Sequence, residues 1–198
     1  MKNTQLLLII IVGTATLLGA LGYQTFSTSQ KAAQHPSLGN KLGGDFSLQS
    51  ADGTVTLKQY QGKVVVLYFG YTACPDVCPT TLGIMGQAFK QLSAKEQAQT
   101  QGLLITLDPE RDTVERLAKY TPYFHPNILG LGGNLADITR IARQYGVMFF
   151  RAKTEDDGNY LVDHSSRTYV IGKSGQVAYL LPHNTSVSEL VEKIRNTL

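Results

Sequence analysis

Apolar and polar positions come in blocks along this chain, and the period changes from block to block. Val64-Val-Val-Leu-Tyr-Phe69 is continuously apolar and rich in β-branched and aromatic residues. That pattern predicts a strand buried on both faces. Residues 102–107 predict a second such strand, and residues 128–131 a shorter one. Elsewhere the period is helical. Leu82, Met85, Phe89 and Leu92 form one stripe behind Pro79, a residue suited to a first helical turn. Asp112-Thr-Val-Glu115 reads as a capping box for a helix through Tyr120. Gly133 or Asn134 caps a helix carrying Leu135, Ile138, Ile141 and Tyr145 inward, and Ser186 caps a terminal one carrying Val187, Leu190, Val191 and Ile194. Three hairpins are predicted: 46–57 around Asp52-Gly53, 147–152 with 160–162 around Asp156-Asp-Gly158, and 168–171 with 176–181 around Lys173-Ser-Gly175. Strands alternating with helices, closed by a hairpin and a helix, predict an α/β fold with a mixed central sheet flanked by helices.

The N-terminus breaks this pattern. Leu6 to Gly22 carries no charge, and Lys31 is the first charge after Lys2. This run is at the short end of a membrane-spanning helix. Tyr23 is placed as an interfacial anchor and Lys2 as the inside flank. A cleaved signal peptide is the rival reading, but Leu18-Gly-Ala20 is a poor cleavage site, and no cysteine follows the run to make a bacterial lipoprotein. The division expected is a transmembrane anchor over 1–24, a Ser-, Gln- and Gly-rich tether over 25–42, and a folded domain over 43–198. The expected address is the bacterial inner membrane, single-pass, with the C-terminal domain in the periplasm. Composition agrees with a globular domain, at 42% hydrophobic and 17% charged. All 15 acidic residues lie from Asp45 onward, where they balance the Lys and Arg, so the net charge of +3 comes from Lys2, Lys31 and Lys41. No basic stripe is present, which argues against a nucleic-acid partner.

Cys74 and Cys78 are the only cysteines, between the apolar strand 64–69 and the helix after it. A strand end feeding a helix N-terminus favours thiolate. Thiolate serves disulfide exchange and metal binding equally, so position alone leaves both open. A structural disulfide is the third reading, though so small a loop removes little chain entropy. His164, in Asp163-His-Ser-Ser166, tips the choice toward metal. The strand–CxxxC–helix order suggests a thioredoxin-like arrangement, in which the loop before strand 168–171 faces the cysteines. Thiol oxidoreductases place a cis-proline there, and this chain has no proline between Pro126 and Pro182. Two thiolates and an imidazole suit Cu(I), Cu(II) and Zn(II) alike. Asp163 is a candidate to orient His164, and Asp76, between the sulfurs, to tune charge or face a partner. Asp108 and Asp112 read as helix caps. His35, His125 and His183 read as loop or surface residues, Met85 and Met148 as core, and Phe69 and Tyr71 as packing.

Three stretches then stand in order: Gly62-Lys-Val-Val-Val-Leu-Tyr-Phe-Gly-Tyr-Thr-Ala-Cys-Pro-Asp-Val-Cys-Pro-Thr-Thr-Leu82, Thr106-Leu-Asp-Pro-Glu-Arg-Asp-Thr113 and Asp163-His-Ser-Ser166. Together they closely resemble the SCO/SenC family, the copper chaperones of cytochrome c oxidase assembly, from Asp45 to the C-terminus. The resemblance implies a thioredoxin-like fold on a single membrane anchor. It implies a metallochaperone rather than an enzyme, with copper held by Cys74, Cys78 and His164. The implied acceptor is the binuclear copper centre of cytochrome c oxidase subunit II or another copper protein, supplied by a periplasmic copper donor. A redox-active Cys74–Cys78 disulfide, reducing the client's cysteines, is the alternative role.

Overall fold

The computed structural model describes residues 42–152 and 160–198. The expected anchor, nearly all of the expected tether and the turn at Asp156-Asp-Gly158 lie outside the described residues. Among the described residues no helix is long and apolar enough to cross a membrane.

The domain opens with a hairpin of β1 (Ser47–Ser50) and β2 (Gly53–Thr56), turned at Asp52-Gly53 with Gly53 at φ +120°. The continuous apolar run forms β3 (Val64–Gly70), buried at every position. It feeds α1 (Val77–Lys90). A short α2 (Ala94–Ala98) follows, which five residues are too few to announce by period. Its signal is the capping box of Ser93 with Glu96. Then come β4 (Thr100–Thr106), α3 (Val114–Tyr120), β5 (Ile128–Leu131) and α4 (Leu135–Gln144). Next are β6 (Phe149–Ala152), β7 (Leu161–His164), β8 (Arg167–Ile171), β9 (Val177–Pro182) and α5 (Val187–Arg195).

Five strands form the central sheet in the order β5-β4-β3-β8-β9. β3, β4 and β5 run parallel, while β8 and β9 join antiparallel, so the sheet is mixed. Side-chain alternation along β3 sorts the two faces. Phe69 points to one face, where its ring meets Tyr145, just after α4, and Tyr169 of β8. Tyr68 points to the other, where it reaches Cys78 of α1. α5 packs against α1. β6 and β7 pair only with each other, as a two-stranded ribbon outside the sheet.

Several expectations need correcting. Asp112 is not a cap: the Thr113 hydroxyl accepts from Arg116 N–H at 3.2 Å, and Asp108 and Asp112 are both 2% exposed. Leu135 is 51% exposed instead of inward, because it occupies the first position of α4, ahead of the buried Ile138 and Ile141. Met148 lies on the surface at 77%, while Met85 is buried. His125 is buried rather than superficial. Its ring stands edge-on to Phe89 at 5.4 Å, its Nδ1 accepts from Asn127 N–H, and burial beside Lys90 lowers its pKa. His164 belongs to a strand, not a loop, with Phe149 as its cross-strand partner.

Gly86 shows how tightly α1 is seated. A Cβ there would stand 2.5 Å from the backbone carbonyl oxygen of Phe124. Gly86→Ala is expected to destabilise the domain by about 1–3 kcal/mol, the usual cost of overpacking. A denaturant midpoint equal to that of the parent protein would show that the turn after α3 gives way freely.

Candidate metal centre

Side chains from two distant segments meet at the carboxyl end of β3. A Cβ on Gly70 would stand 2.7 Å from the Tyr68 ring and 3.1 Å from Cys78 Sγ, so glycine is what lets the sulfur lie against the strand end. The chain turns through Tyr71 to Asp76, with Cys74 N–H donating to the Tyr71 carbonyl, and enters α1. Cys74 therefore sits half-buried on the loop, while Cys78 is fully buried in the first helical turn. Both are free cysteines. Cys78 N–H donates to Cys74 Sγ at 3.4 Å, as unpaired N–H groups of a first turn do toward an anion.

The imidazole arrives from the ribbon. His164 Nε2 lies 3.6 Å from Cys78 Sγ. Its ring meets Tyr68 and Tyr71 edge-on, each with centroids 6.2 Å apart. Tyr68 O–H donates to Cys78 Sγ, and Tyr71 Oη accepts from Val162 N–H at 3.2 Å, two residues before His164. The structure thus brings Cys74, Cys78 and His164 together. It leaves Asp163 and Asp76 outside that contact. Strand alternation turns Asp163 to the exposed side, across from Phe150, and His164 Nδ1 is buried with no hydrogen-bond partner among the described residues. Asp76 is exposed, and its carboxylate accepts from the Thr80 hydroxyl at 3.5 Å.

The two sulfurs divide their protons unequally. Cys78 donates to Cys74 and holds the Cys74 thiol well below the usual thiol range, helped by His164 and backbone N–H groups and opposed by burial. The same contact, with burial, pushes Cys78 up. The accessible sulfur is therefore the anion, and nucleophilic exchange or first contact with a metal falls to Cys74. A metal held by both sulfurs would displace the Cys78 proton. One thiolate, a second sulfur and an imidazole with an orphaned buried nitrogen fit a soft or borderline ion. Among the described residues no three His, Cys, Asp or Glu side chains already enclose a common point, so the set is open, with Cys74 its solvent-facing member. A cavity of about 450 Å³ between α4 and the ribbon, lined by Leu135, Phe149 and Val162 among others, contains none of the three donors.

The loop itself is braced by a residue that sequence reading took for a cap. Asp112 accepts from Thr72 N–H at 2.9 Å, from the Thr72 hydroxyl and from the Thr106 hydroxyl at 2.7 Å. Arg116 Nε adds a bond to the Thr72 hydroxyl at 2.7 Å. Tyr68 and Thr72 were not singled out from the sequence. For Tyr68 the signal is two-residue alternation, which puts it on the same face of β3 as Gly70.

With this geometry in view, the comparisons with known proteins are specific. The SCO1/SenC family model matches residues 34–198. This chain belongs to the SCO1/SenC family. The mitochondrial SCO2 homolog of Bos taurus is 38% identical over 154 residues, which cover 77% of this chain and 58% of the bovine protein. This chain thus matches less than two thirds of that relative's length. A SCO2-like protein of Rickettsia conorii is 37% identical over 158 residues, covering 79% of this chain and 77% of the relative. Among solved structures, apo Sco1 from Thermus thermophilus superposes with a TM-score of 0.74 at 37% identity, covering 81% of this chain and 94% of that one. Copper-bound ScoI from Bradyrhizobium japonicum gives 0.72 at 32% identity, covering 79% and 99%. The mixed sheet flanked by helices is the thioredoxin-like fold of these Sco structures.

Proposed function

We propose that this SCO1/SenC chain is a membrane-anchored periplasmic copper metallochaperone. Cys74, Cys78 and His164 take Cu(I) and Cu(II). The ion then passes by ligand exchange to thiolates of an acceptor, the binuclear copper centre of cytochrome c oxidase subunit II. The observation that carries this reading is the 3.6 Å approach of His164 Nε2 to Cys78 Sγ, beside the Cys74 thiolate. Copper bound to the Bradyrhizobium japonicum relative supports it. Two sulfurs satisfy Cu(I), and the added nitrogen suits Cu(II). The uncharged run from Leu6 to Gly22 supports a single-pass inner-membrane anchor, with residues 25–42 as tether and 43–198 as the copper-binding domain. A periplasmic donor supplies the copper, and only the reduced dithiol accepts it.

The first test offers copper to the reduced full-length chain, without oxygen, against a competing chelator. About one copper per chain and a thiolate-to-Cu(II) charge-transfer band are expected. In His164→Ala, Cu(II) affinity is expected to fall by more than about tenfold, the least that a change outside the ligand shell typically costs, and Cu(I) affinity by less. Unchanged Cu(II) affinity would remove His164 from the site. The half-buried, solvent-facing thiolate of Cys74 also favours a second reading, a thiol–disulfide reductase that keeps the client's copper-ligand cysteines reduced. Turnover that survives His164→Ala, is lost in Cys74→Ser and comes with no retained copper would establish it instead.

A further inference from the structure

Among the described residues the ribbon that carries His164 is not paired with the central sheet, and side-chain ties help to place it. One tie is the Tyr71 bond to Val162 already described. Another lies just ahead of β7, two residues before Val162. Tyr160 O–H donates to Asp108 Oδ1 at 2.6 Å. Asp108 is buried and also pairs with Arg111. The Arg111 guanidinium lies 3.7 Å from the centroid of the Tyr160 ring, and Arg151 covers the same ring at 4.3 Å. Arg151, on β6, is also paired with Glu110. Arg111 Nη2 is buried without a hydrogen-bond partner among the described residues, while the guanidinium sits between Asp108 and the two tyrosine rings. One short turn, Asp108 to Asp112, thereby grips both halves of the centre. Asp112 holds the cysteine loop through Thr72, and Asp108 holds the histidine ribbon through Tyr160.

We infer that Asp108 and Tyr160 are positioning residues that set the imidazole against the sulfurs. They touch no donor themselves and act through His164. Their consequence for copper rests on the function proposed above. Their consequence for the position of His164 does not.

The test uses Tyr160→Phe in the full-length chain, which deletes one O–H and leaves the ring stacked under Arg111. Without metal, NMR contacts between the His164 ring and the Tyr68 and Tyr71 rings are expected to weaken. With copper, Cu(II) affinity is expected to fall by about tenfold, as for other outer-shell partners, and the thiolate-to-Cu(II) band to shift. Cu(I) affinity falls by less. In a His164→Ala background the same change is expected to add nothing, because the residue through which it acts is gone. An equal loss of Cu(II) affinity in both backgrounds, or unaltered ring contacts, overturns the inference. Weakened ring contacts in a chain that retains no copper would uphold the positioning role and overturn the copper reading.

Discussion

Replacing Cys78 with serine is expected to leave the chain folded and to empty it of copper. Cys78 is fully buried at the start of α1, with its sulfur between Tyr68 O–H and His164 Nε2. A hydroxyl at that spot is smaller and still accepts from Tyr68, so packing and hydrogen bonding survive. What disappears is a soft donor. Serine oxygen is neutral and hard, and Cu(I) discriminates strongly against it. The serine hydroxyl and the backbone N–H at position 78 can still donate to Cys74, so that sulfur keeps its thiolate character but is left as the lone soft donor. Copper is expected to drop from about one per chain to near none, with an unchanged thermal midpoint, when the reduced variant is challenged by the same chelator. Full stoichiometry in Cys78→Ser would place the site elsewhere and sink the proposal.

Asp112→Ala carries the largest expected cost in stability. Its carboxylate is buried and accepts three hydrogen bonds, two from Thr72 and one from Thr106. Deleting it strands the Thr72 N–H and two hydroxyls at about 1–3 kcal/mol for each that stays buried. Arg116 is half-exposed, so water takes up much of its lost pairing. The net loss expected is about 3 kcal/mol, read from the denaturant midpoint. Asp112→Asn keeps one acceptor oxygen and is expected to fall between. Because Thr72 lies two residues before Cys74, the loosened loop also weakens copper retention. A midpoint unchanged in Asp112→Ala would mean that Thr72 and Thr106 find other partners at no cost.

Much of this was legible in the sequence because it rests on local pattern. β3 is a run of apolar residues, Asn134 and Ser186 cap the helices expected of them, and the Asp52-Gly53 turn closes the first hairpin. Meeting of the cysteine loop with the segment of His164 was also expected, from the order of strands. What stayed hidden depends on tertiary partners. Asp108 and Asp112 look like caps because the same short acidic side chain that accepts from a helix N–H can accept from Thr72 or Tyr160 instead. Only the fold brings those donors within reach. His125 does lie in a loop, but its burial against Phe89 shows only once the fold is in hand. The strand character of His164 was missed because β7 is only four residues long and ends on His164 itself.

His164 stands 86 positions along the chain from the sulfur it meets. On the anchored, exported reading proposed above, a chain leaving the membrane from its N-terminal end would present both thiols before its imidazole. Contacts of such sequence separation form late, because the intervening loop must close first. A half-emerged chain would then have the ligands that satisfy cuprous ion and lack the one that steadies the cupric form. On the copper reading, the oxidation state a chain can retain becomes a clock for its own maturation: sulfur-only binding marks the early chain, and nitrogen-supported binding marks the finished one.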